Sequence, residues 1–293
     1  MSAKSEKPIA LVTGGNTGIG FETCKGLLHA GFHVIVCARS AEKGDAAIAS
    51  LLEDSPAGSS AESLTLDLAS LDSIRTAASM FLESKRELHV CVLNAGIMAL
   101  PWKTTIDGYE QQWQVNVLGH FLLCRLLLPA IVAAGEPSGR VVHVSSGAHR
   151  RHPQPIDYGA LAAEHKSDEN FDRWIAYGRS KLANILFSNE LARRLREIDS
   201  PVTSNALHPG LVATNLITNA GGDRERGIPA AEGARTSLYL STSPEVQGIS
   251  GGYYFKNEPV SAEGARTEIS MSEEAGKQLW AAACRELSLS EEL

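Results

Sequence analysis

The sequence has few cysteines, no cysteine pair at short spacing and no long uninterrupted apolar run. Its 293 residues include five cysteines, which are scattered through apolar segments. This pattern is typical of buried free thiols in a reducing compartment, so we predict a cytoplasmic protein. The longest apolar block, residues 121–134, is interrupted by Arg125 and Pro129. We therefore expect a buried helix there and no transmembrane segment. The first residues also lack the pattern of a secretory signal.

An excess of basic charge is lacking as well. The 27 basic and 34 acidic side chains give a formal charge of −7 at pH 7. This balance disfavours a general nucleic-acid or anionic-membrane surface, and we predict no nucleic-acid partner. The histidine-rich residues 149–153 have no cysteine or carboxylate at a spacing that would complete a zinc site. We therefore predict no metal site.

What the sequence does contain is a regular alternation of strand-like and helical segments. Runs such as "VIV" and "VCVL" are apolar throughout, as expected for strands that are covered on both faces. The alternation predicts one Rossmann-type, doubly wound α/β domain with about seven parallel strands and helices on both faces of the sheet. We expect this single domain to span residues 1–293, with a core over about 8–258 and a C-terminal helical extension over 259–293. Residues 218–229, rich in glycine and charge, are compatible with a lid or with a long surface loop.

A glycine-rich turn, "TGGNTGIG" at residues 13–20, lies between the first predicted strand and the first predicted helix. That is the context in which glycines let the backbone approach a pyrophosphate and a helix N-terminus supplies N–H groups. The second predicted strand ends in "CARS", with Arg39 and no acidic residue. An acidic residue at this place holds the ribose of NAD, whereas arginine accommodates a 2′-phosphate. The sequence therefore predicts that NADP(H) is preferred over NAD(H).

The stretch "AYGRSKLAN" places Tyr177 and Lys181 four residues apart within a predicted helix. Side chains at this spacing lie on one helix face. A free phenol has a pKa of about 10, and a neighbouring cation lowers that pKa and eases proton exchange. A tyrosine–lysine pair alone is most often a surface coincidence. Because this one follows the fifth strand of a dinucleotide-type chain, we interpret Tyr177 as a general acid and base.

Together these segments resemble the short-chain dehydrogenase/reductase family. The resemblance rests on the glycine turn and on motifs spread along nearly the whole chain: "LDLA" with Asp67, "LNAG" with Asn94, "VNVLG" with Asn116, "VVHVSS" with Ser145 and Ser146, the Tyr177–Lys181 pair, and "HPG" ending at Gly210. Within the family, the sequence is most similar to the retinol-dehydrogenase-like group and to the catalytic domain of WW-domain-containing oxidoreductases.

The resemblance implies a set of catalytic residues. Ser146, preferred to Ser145, would hydrogen-bond the substrate oxygen. Lys181 would also bond the nicotinamide ribose, and Asn116 would interrupt its helix and bind a water that relays protons to the lysine. The implied cofactor contacts are Gly14, Asn16, Thr17, Gly18, Ile19, Gly20, Arg39, Asp67, Leu68, Asn94, Ala95, Gly96, Tyr177, Lys181, Pro209, Gly210 and Thr214.

The expected function is an NADP(H)-dependent oxidoreductase that interconverts a ketone or aldehyde with an alcohol. An apolar wall is expected beside the nicotinamide, formed by Ile97, Met98, Trp102, Trp174 and Leu216, and it favours a lipophilic or aromatic substrate. The alternative is a cofactor-binding scaffold with little turnover. A complete catalytic set favours the enzyme, because a scaffold does not need one. The sequence is compatible with a monomer or a homodimer.

Overall fold

The computed structural model describes residues 7–135, 138–261 and 266–293. Within these residues, eight strands form one sheet. They are β1 Ile9–Thr13, β2 His33–Ala38, β3 Ser60–Thr65, β4 Val90–Leu93, β5 Arg140–Val144, β6 Thr203–His208, β7 Tyr253–Phe255 and β8 Glu258–Pro259. Their order is β3-β2-β1-β4-β5-β6-β7-β8, which is the doubly wound arrangement.

The first seven strands are parallel, as the sequence predicts, and β8 is an additional antiparallel edge strand. Its connection to β7 is a two-residue turn in which Lys256 and Asn257 have φ angles of 52° and 67°. Two consecutive positive φ angles are typical of the tight hairpin turn whose twist suits antiparallel strands.

Nine α-helices of five or more residues alternate with the strands in the described part of the chain. They are α1 Gly18–His29, α2 Ala41–Glu53, α3 Leu71–Glu83, α4 Gln111–Val132, α5 Tyr158–Glu164, α6 Arg173–Glu197, α7 Asn215–Asn219, α8 Ala230–Thr242 and α9 Glu273–Leu287. The side chains of Ser40, Ser70, Asp172 and Ser272 cap α2, α3, α6 and α9 by accepting bonds from first-turn N–H groups. Helix α9 lies in the expected C-terminal extension, of which residues 262–265 fall outside the described residues.

The helices cover both faces of the sheet because alternate side chains of each strand point to opposite sides. Along β1, Ile9 and Leu11 pack with α3, α4, α6 and α9 on one face. Ala10 and Val12 pack with α1, α2 and α8 on the other face. This confirms the predicted doubly wound α/β architecture.

Helix α4 passes through the first of these two layers. Among the described residues it is the one helix long and apolar enough to cross a membrane, and 78% of its most apolar window is buried inside the protein. Such burial is that of a core helix. Within α4, residues Gln114–Leu118 form a π-helical turn, which widens the helix at Asn116.

Candidate active site

A cleft of about 1630 Å³ runs along the edge where the parallel strands end. Ligands of open α/β sheets bind at this edge, outside the carboxyl ends of the strands. Every residue predicted to contact the cofactor lines the cleft, and so does Ser146. Asn116 does not line it, because its side chain is fully buried behind the cleft wall.

The glycine turn is compact enough that side chains would obstruct it. Gly14 and Gly18 have φ angles of 63° and 56°, a conformation that glycine adopts without strain. A Cβ atom on Gly20 would lie 2.2 Å from the carbonyl oxygen of Gly14. Unlike the caps of α2 and α3, the Thr17 side chain makes no capping bond to α1 in the described structure. The first N–H groups of α1 can therefore bind an anionic group of a cofactor.

Thr13 ties the glycine turn to the end of β4. Its hydroxyl oxygen accepts hydrogen bonds from the backbone N–H groups of Asn94 and Ala95, both at 2.9 Å. The Asn94 amide returns a bond of 2.8 Å to the carbonyl oxygen of Thr13. These bonds fix the segment, Asn94 to Gly96, that was expected to contact the cofactor.

Tyr177 and Ser146 meet across the cleft floor. Tyr177 is on α6, and Ser146 follows β5 and caps the short 3-10 helix Gly147–Arg151 by accepting a bond from the Ala148 N–H. Burial raises the pKa of Tyr177 to about 12, and a hydrogen bond with Ser146 opposes this shift. The two groups could therefore both reach one substrate oxygen.

Lys181 lies one turn beyond Tyr177, and its Nζ is 5.7 Å from the centre of the phenol ring. Nζ donates to the carbonyl oxygen of Val144 at 3.1 Å. Burial lowers the pKa of Lys181 to about 8. The hydroxyl of Ser145 is engaged elsewhere, because it donates to the carbonyl oxygen of Lys181 at 2.6 Å. The second serine, not the first, therefore faces the phenol.

We expected Lys181 to lower the pKa of Tyr177. In the protein without a bound cofactor, the pKa of Tyr177 is instead raised. Tyr177 is only 4% exposed, and the cost of placing a phenolate in such surroundings exceeds the opposing effects on its pKa. Without a cofactor, the phenol therefore remains protonated at neutral pH, which is the form a proton donor requires.

Asn116 holds the loop that follows β4. Its amide donates to the carbonyl oxygen of Ile97 at 2.9 Å, and its Oδ1 accepts from the Ile97 N–H at 2.9 Å. The amide also donates to the hydroxyl of Ser180 at 3.0 Å. A Cβ atom on Gly96 would lie 3.2 Å from Asn116 Oδ1 and 3.5 Å from Lys181 Nζ. Only a glycine leaves this space between the amide and the lysine.

Two buried histidines lie behind the site, and neither was predicted from the sequence to have a role there. His120 bonds the hydroxyl of Thr13 at 2.9 Å, and His143 bonds the hydroxyl of Ser204 at 3.0 Å. Burial lowers the pKa of each imidazole to about 3, assisted at His120 by the charge of Lys181. Both rings are thus neutral hydrogen-bonding groups. The signal in the sequence that could have indicated this role is that both histidines lie within apolar runs.

The predicted apolar wall is present except for one residue. Ile97, Met98, Trp174 and Leu216 line the cleft. Trp102 does not, because its indole N–H donates to the carbonyl oxygen of Glu164 at 2.8 Å and fastens the end of α5. The expectation that Trp102 faces the substrate was wrong, since this hydrogen bond orients the ring toward α5.

Residues 218–229 contain the end of α7 and the 3-10 helix Arg224–Arg226, and they border the cleft. The C-terminal end of residues 218–229 is hydrogen-bonded to the segment that follows β6. The Ile228 N–H donates to the carbonyl oxygen of Leu211, and the Ala213 N–H donates to the carbonyl oxygen of Ile228, both at 2.8 Å. Residues 218–229 are therefore anchored at their C-terminal end.

Comparison with known proteins agrees with this geometry. The sequence pattern of the short chain dehydrogenase family matches residues 8–160. The human WW domain-containing oxidoreductase is 40% identical over 288 residues, which cover 93% of this chain and 66% of that protein. Retinol dehydrogenase 14 of Mus musculus is 38% identical over 271 residues, which cover 83% of this chain and 76% of that protein. The chain thus spans about two thirds of the length of the WW-domain relative.

Solved structures of similar fold cover most of the chain. An uncharacterized protein from Mycobacterium paratuberculosis has a TM-score of 0.78 and 32% identity, and the match covers 98% of this chain and 96% of that one. A metagenomic short-chain oxidoreductase in complex with NADP has a TM-score of 0.62 and 25% identity, covering 85% of this chain and 96% of that one. These likenesses confirm the resemblance drawn from the sequence motifs.

Proposed function

Since the chain belongs to the short-chain dehydrogenase family, we propose that it is an NADP(H)-dependent oxidoreductase that interconverts a ketone or aldehyde with an alcohol. One observation carries the proposal. The phenol of Tyr177 beside Ser146 and the ammonium of Lys181 lie together in the cleft that the glycine turn borders.

The proposed chemistry assigns a proton to Tyr177. NADPH would supply the hydride that reduces the carbonyl carbon. Tyr177 donates its phenolic proton to the carbonyl oxygen as negative charge develops there. Ser146 donates a hydrogen bond to the same oxygen, and the Lys181 ammonium stabilises the phenolate that remains. Alcohol oxidation uses the same groups in reverse, with Tyr177 as the base.

The residues present fit a dinucleotide with a 2′-phosphate. The glycine turn leaves space for a pyrophosphate beside α1, and Arg39 and Lys43 line the cleft beyond the end of β2. Arginine at this place suits a phosphate better than a ribose hydroxyl. A solved relative at 25% identity holds NADP, and this supports the proposed choice of NADP(H) over NAD(H).

The proposal also covers the setting of the reaction. The substrate is a small molecule, and the apolar cleft residues favour a lipophilic or aromatic carbonyl. All five cysteines are buried free thiols, which supports a reducing compartment such as the cytoplasm. We propose one domain with residues 259–293 as its C-terminal extension, because α9 packs into the same apolar layer as α4 and α6.

The direct test is NADPH consumption with a panel of aldehydes and ketones. Tyr177→Phe removes the proton donor and is expected to lower turnover at least a thousandfold, within the range that acid–base catalysis contributes, while NADPH binding is retained. Tyr239→Phe, on α8 and away from the cleft, is the matched control. Retained turnover in Tyr177→Phe would reject the assignment. Cofactor binding without turnover of any carbonyl by the wild-type protein would favour the scaffold instead.

A further inference from the structure

The cleft wall formed by the segments after β4, β5 and β6 is basic, although the chain as a whole is acidic. Five basic side chains and one acidic side chain from these segments line the cleft: Lys103, Arg150, Arg151, Arg224, Arg226 and Asp223. The whole chain has a formal charge of −7. A cleft lined by one sign of charge concentrates ligands of the opposite sign.

Arg151 is the best placed of these cations, because its backbone is fixed against α6. It ends the 3-10 helix that Ser146 caps. A Cβ atom on Gly178 would lie 3.0 Å from the Cβ atom of Arg151, so only a glycine lets the two segments approach this closely. The guanidinium carbon lies 5.2 Å from the ring centre of Trp174. Stacking on an indole orients a guanidinium and leaves its N–H edges for an anion.

Trp174 connects this guanidinium to the reaction centre. It precedes Tyr177 by three residues on α6, so the two rings share a helix face and are separated by about 4.5 Å of helix rise. Both rings line the cleft. A group bound by Arg151 would therefore belong to a molecule whose carbonyl reaches Tyr177.

The cofactor phosphates do not account for Arg151. The residues that suit a 2′-phosphate, Arg39 and Lys43, follow β2, and the glycine turn follows β1. Arg151 follows β5, which is three strands away from β2 in the sheet. At about 4.8 Å between neighbouring strands, this separation is about 14 Å. Arg151 thus lies in a different part of the cleft from Arg39 and Lys43.

We propose that the substrate is a carbonyl compound with an apolar body and a carboxylate, and that Arg151 binds the carboxylate. The apolar body lies against Ile97, Met98 and Leu216. This inference rests on the proposed oxidoreductase function and narrows its substrate class to amphipathic oxo acids.

The test compares 4-acetylbenzoate with its methyl ester, which has the same ketone group but no negative charge. With NADPH, kcat/KM for the acid is expected to exceed that for the ester at least tenfold. Arg151→Gln is expected to reduce this preference at least tenfold, mainly through KM for the acid, and to leave KM for NADPH unchanged. Arg235→Gln, the same substitution at an exposed position of α8, is the control that keeps the wild-type preference. Equal rates for acid and ester in the wild-type protein, or a raised KM for NADPH in Arg151→Gln, would overturn the carboxylate site.

Calorimetric titration of 4-acetylbenzoate into the protein saturated with NADP⁺ separates this inference from the proposed function. Binding that weakens tenfold or more in Arg151→Gln supports the carboxylate site even if no turnover occurs, in which case the oxidoreductase proposal fails alone. Turnover of the ester with no preference for the acid has the opposite meaning: the oxidoreductase proposal stands and the carboxylate site fails.

Discussion

Lys181 lies in a fixed position beside Tyr177, and its charge depends on pH. Burial lowers its pKa to about 8, so it loses its charge as the pH rises through about 8. The phenol of Tyr177, with a pKa of about 12, stays protonated over the same range. We therefore expect kcat/KM for carbonyl reduction to fall above about pH 8, since this parameter reports the free enzyme.

The control for this pH profile is Lys181→Arg. A guanidinium keeps its charge throughout the accessible range, so the decline above pH 8 should disappear even if the absolute rate is lower. A profile of unchanged shape in Lys181→Arg would assign the decline to another group.

Arg39 is expected to determine cofactor choice. A charge-assisted hydrogen bond contributes about 1.5–3 kcal/mol, and about 1.4 kcal/mol corresponds to a factor of ten in binding. Arg39→Ala should therefore raise KM for NADPH between about tenfold and about a hundredfold and leave KM for NADH nearly unchanged. Arg235→Ala is the control for a lost positive charge outside the cleft. A parallel rise of KM for both cofactors would contradict a 2′-phosphate contact.

His120 and His143 link the site to acid stability. Both have a pKa of about 3 in the folded protein and an ordinary value of about 6.5 in an unfolded chain. Between these values the unfolded chain binds more protons, so the free energy of unfolding falls as the pH is lowered from about 6.5 toward about 3. Each histidine contributes a slope of about 1.4 kcal/mol per pH unit in this window.

Urea unfolding at several pH values between 4.5 and 6.5 tests this prediction. His120→Gln should show a shallower pH dependence of the unfolding free energy, whatever its stability at pH 7. His29→Asn, at an exposed histidine of α1, should keep the wild-type slope. An identical slope in His120→Gln would mean that His120 does not contribute to the acid sensitivity.

At the scale of elements, α6 supplies both Tyr177 and Lys181, and its start is fixed by one side chain. Asp172 Oδ1 accepts bonds from the N–H groups of Trp174 and Ile175 at 2.8 Å and 3.0 Å. Asp172→Ala should lower the free energy of unfolding by about 1 kcal/mol, the usual contribution of such a cap. Asp157→Ala, which uncaps the shorter helix α5, is the comparison. No change in urea midpoint for Asp172→Ala would show that tertiary packing alone holds this end of α6.

Some elements were predictable from local patterns and others were not. The parallel strands and the long helices were predictable because their apolar runs are strongly periodic, whereas the two-residue strand β8 has no such run. Helix α2 is poorly marked in the sequence because its buried stripe contains the small residues Gly44 and Ala47 with only Leu51 as a large side chain. Helix α8 is poorly marked for a similar reason, since its buried face includes Gly233 and Ala234. Small residues give little periodic signal even where they pack closely.

At the scale of the whole molecule, the sequence predicted the reaction centre better than its surroundings. Tyr177 and Lys181 are one turn apart on one helix, so their meeting is a local property. The orientation of Trp102 depends on a bond to Glu164, which is 62 residues away. The pKa of Tyr177 likewise depends on burial by distant segments. Long-range packing therefore decided the points on which the sequence analysis was wrong or silent.

The π-helical turn in α4 is an insertion of one residue into an otherwise continuous spiral. Excising one residue from Gln114–Leu118 would let ordinary α-helical bonding run through the segment and would withdraw the amide of Asn116 from Ile97. The neighbouring turns would keep the sides that they now present to the sheet. The fold and the brace on the segment after β4 are thus separable, so a one-residue deletion within this turn should leave a folded protein in which that segment has lost its hold on α4.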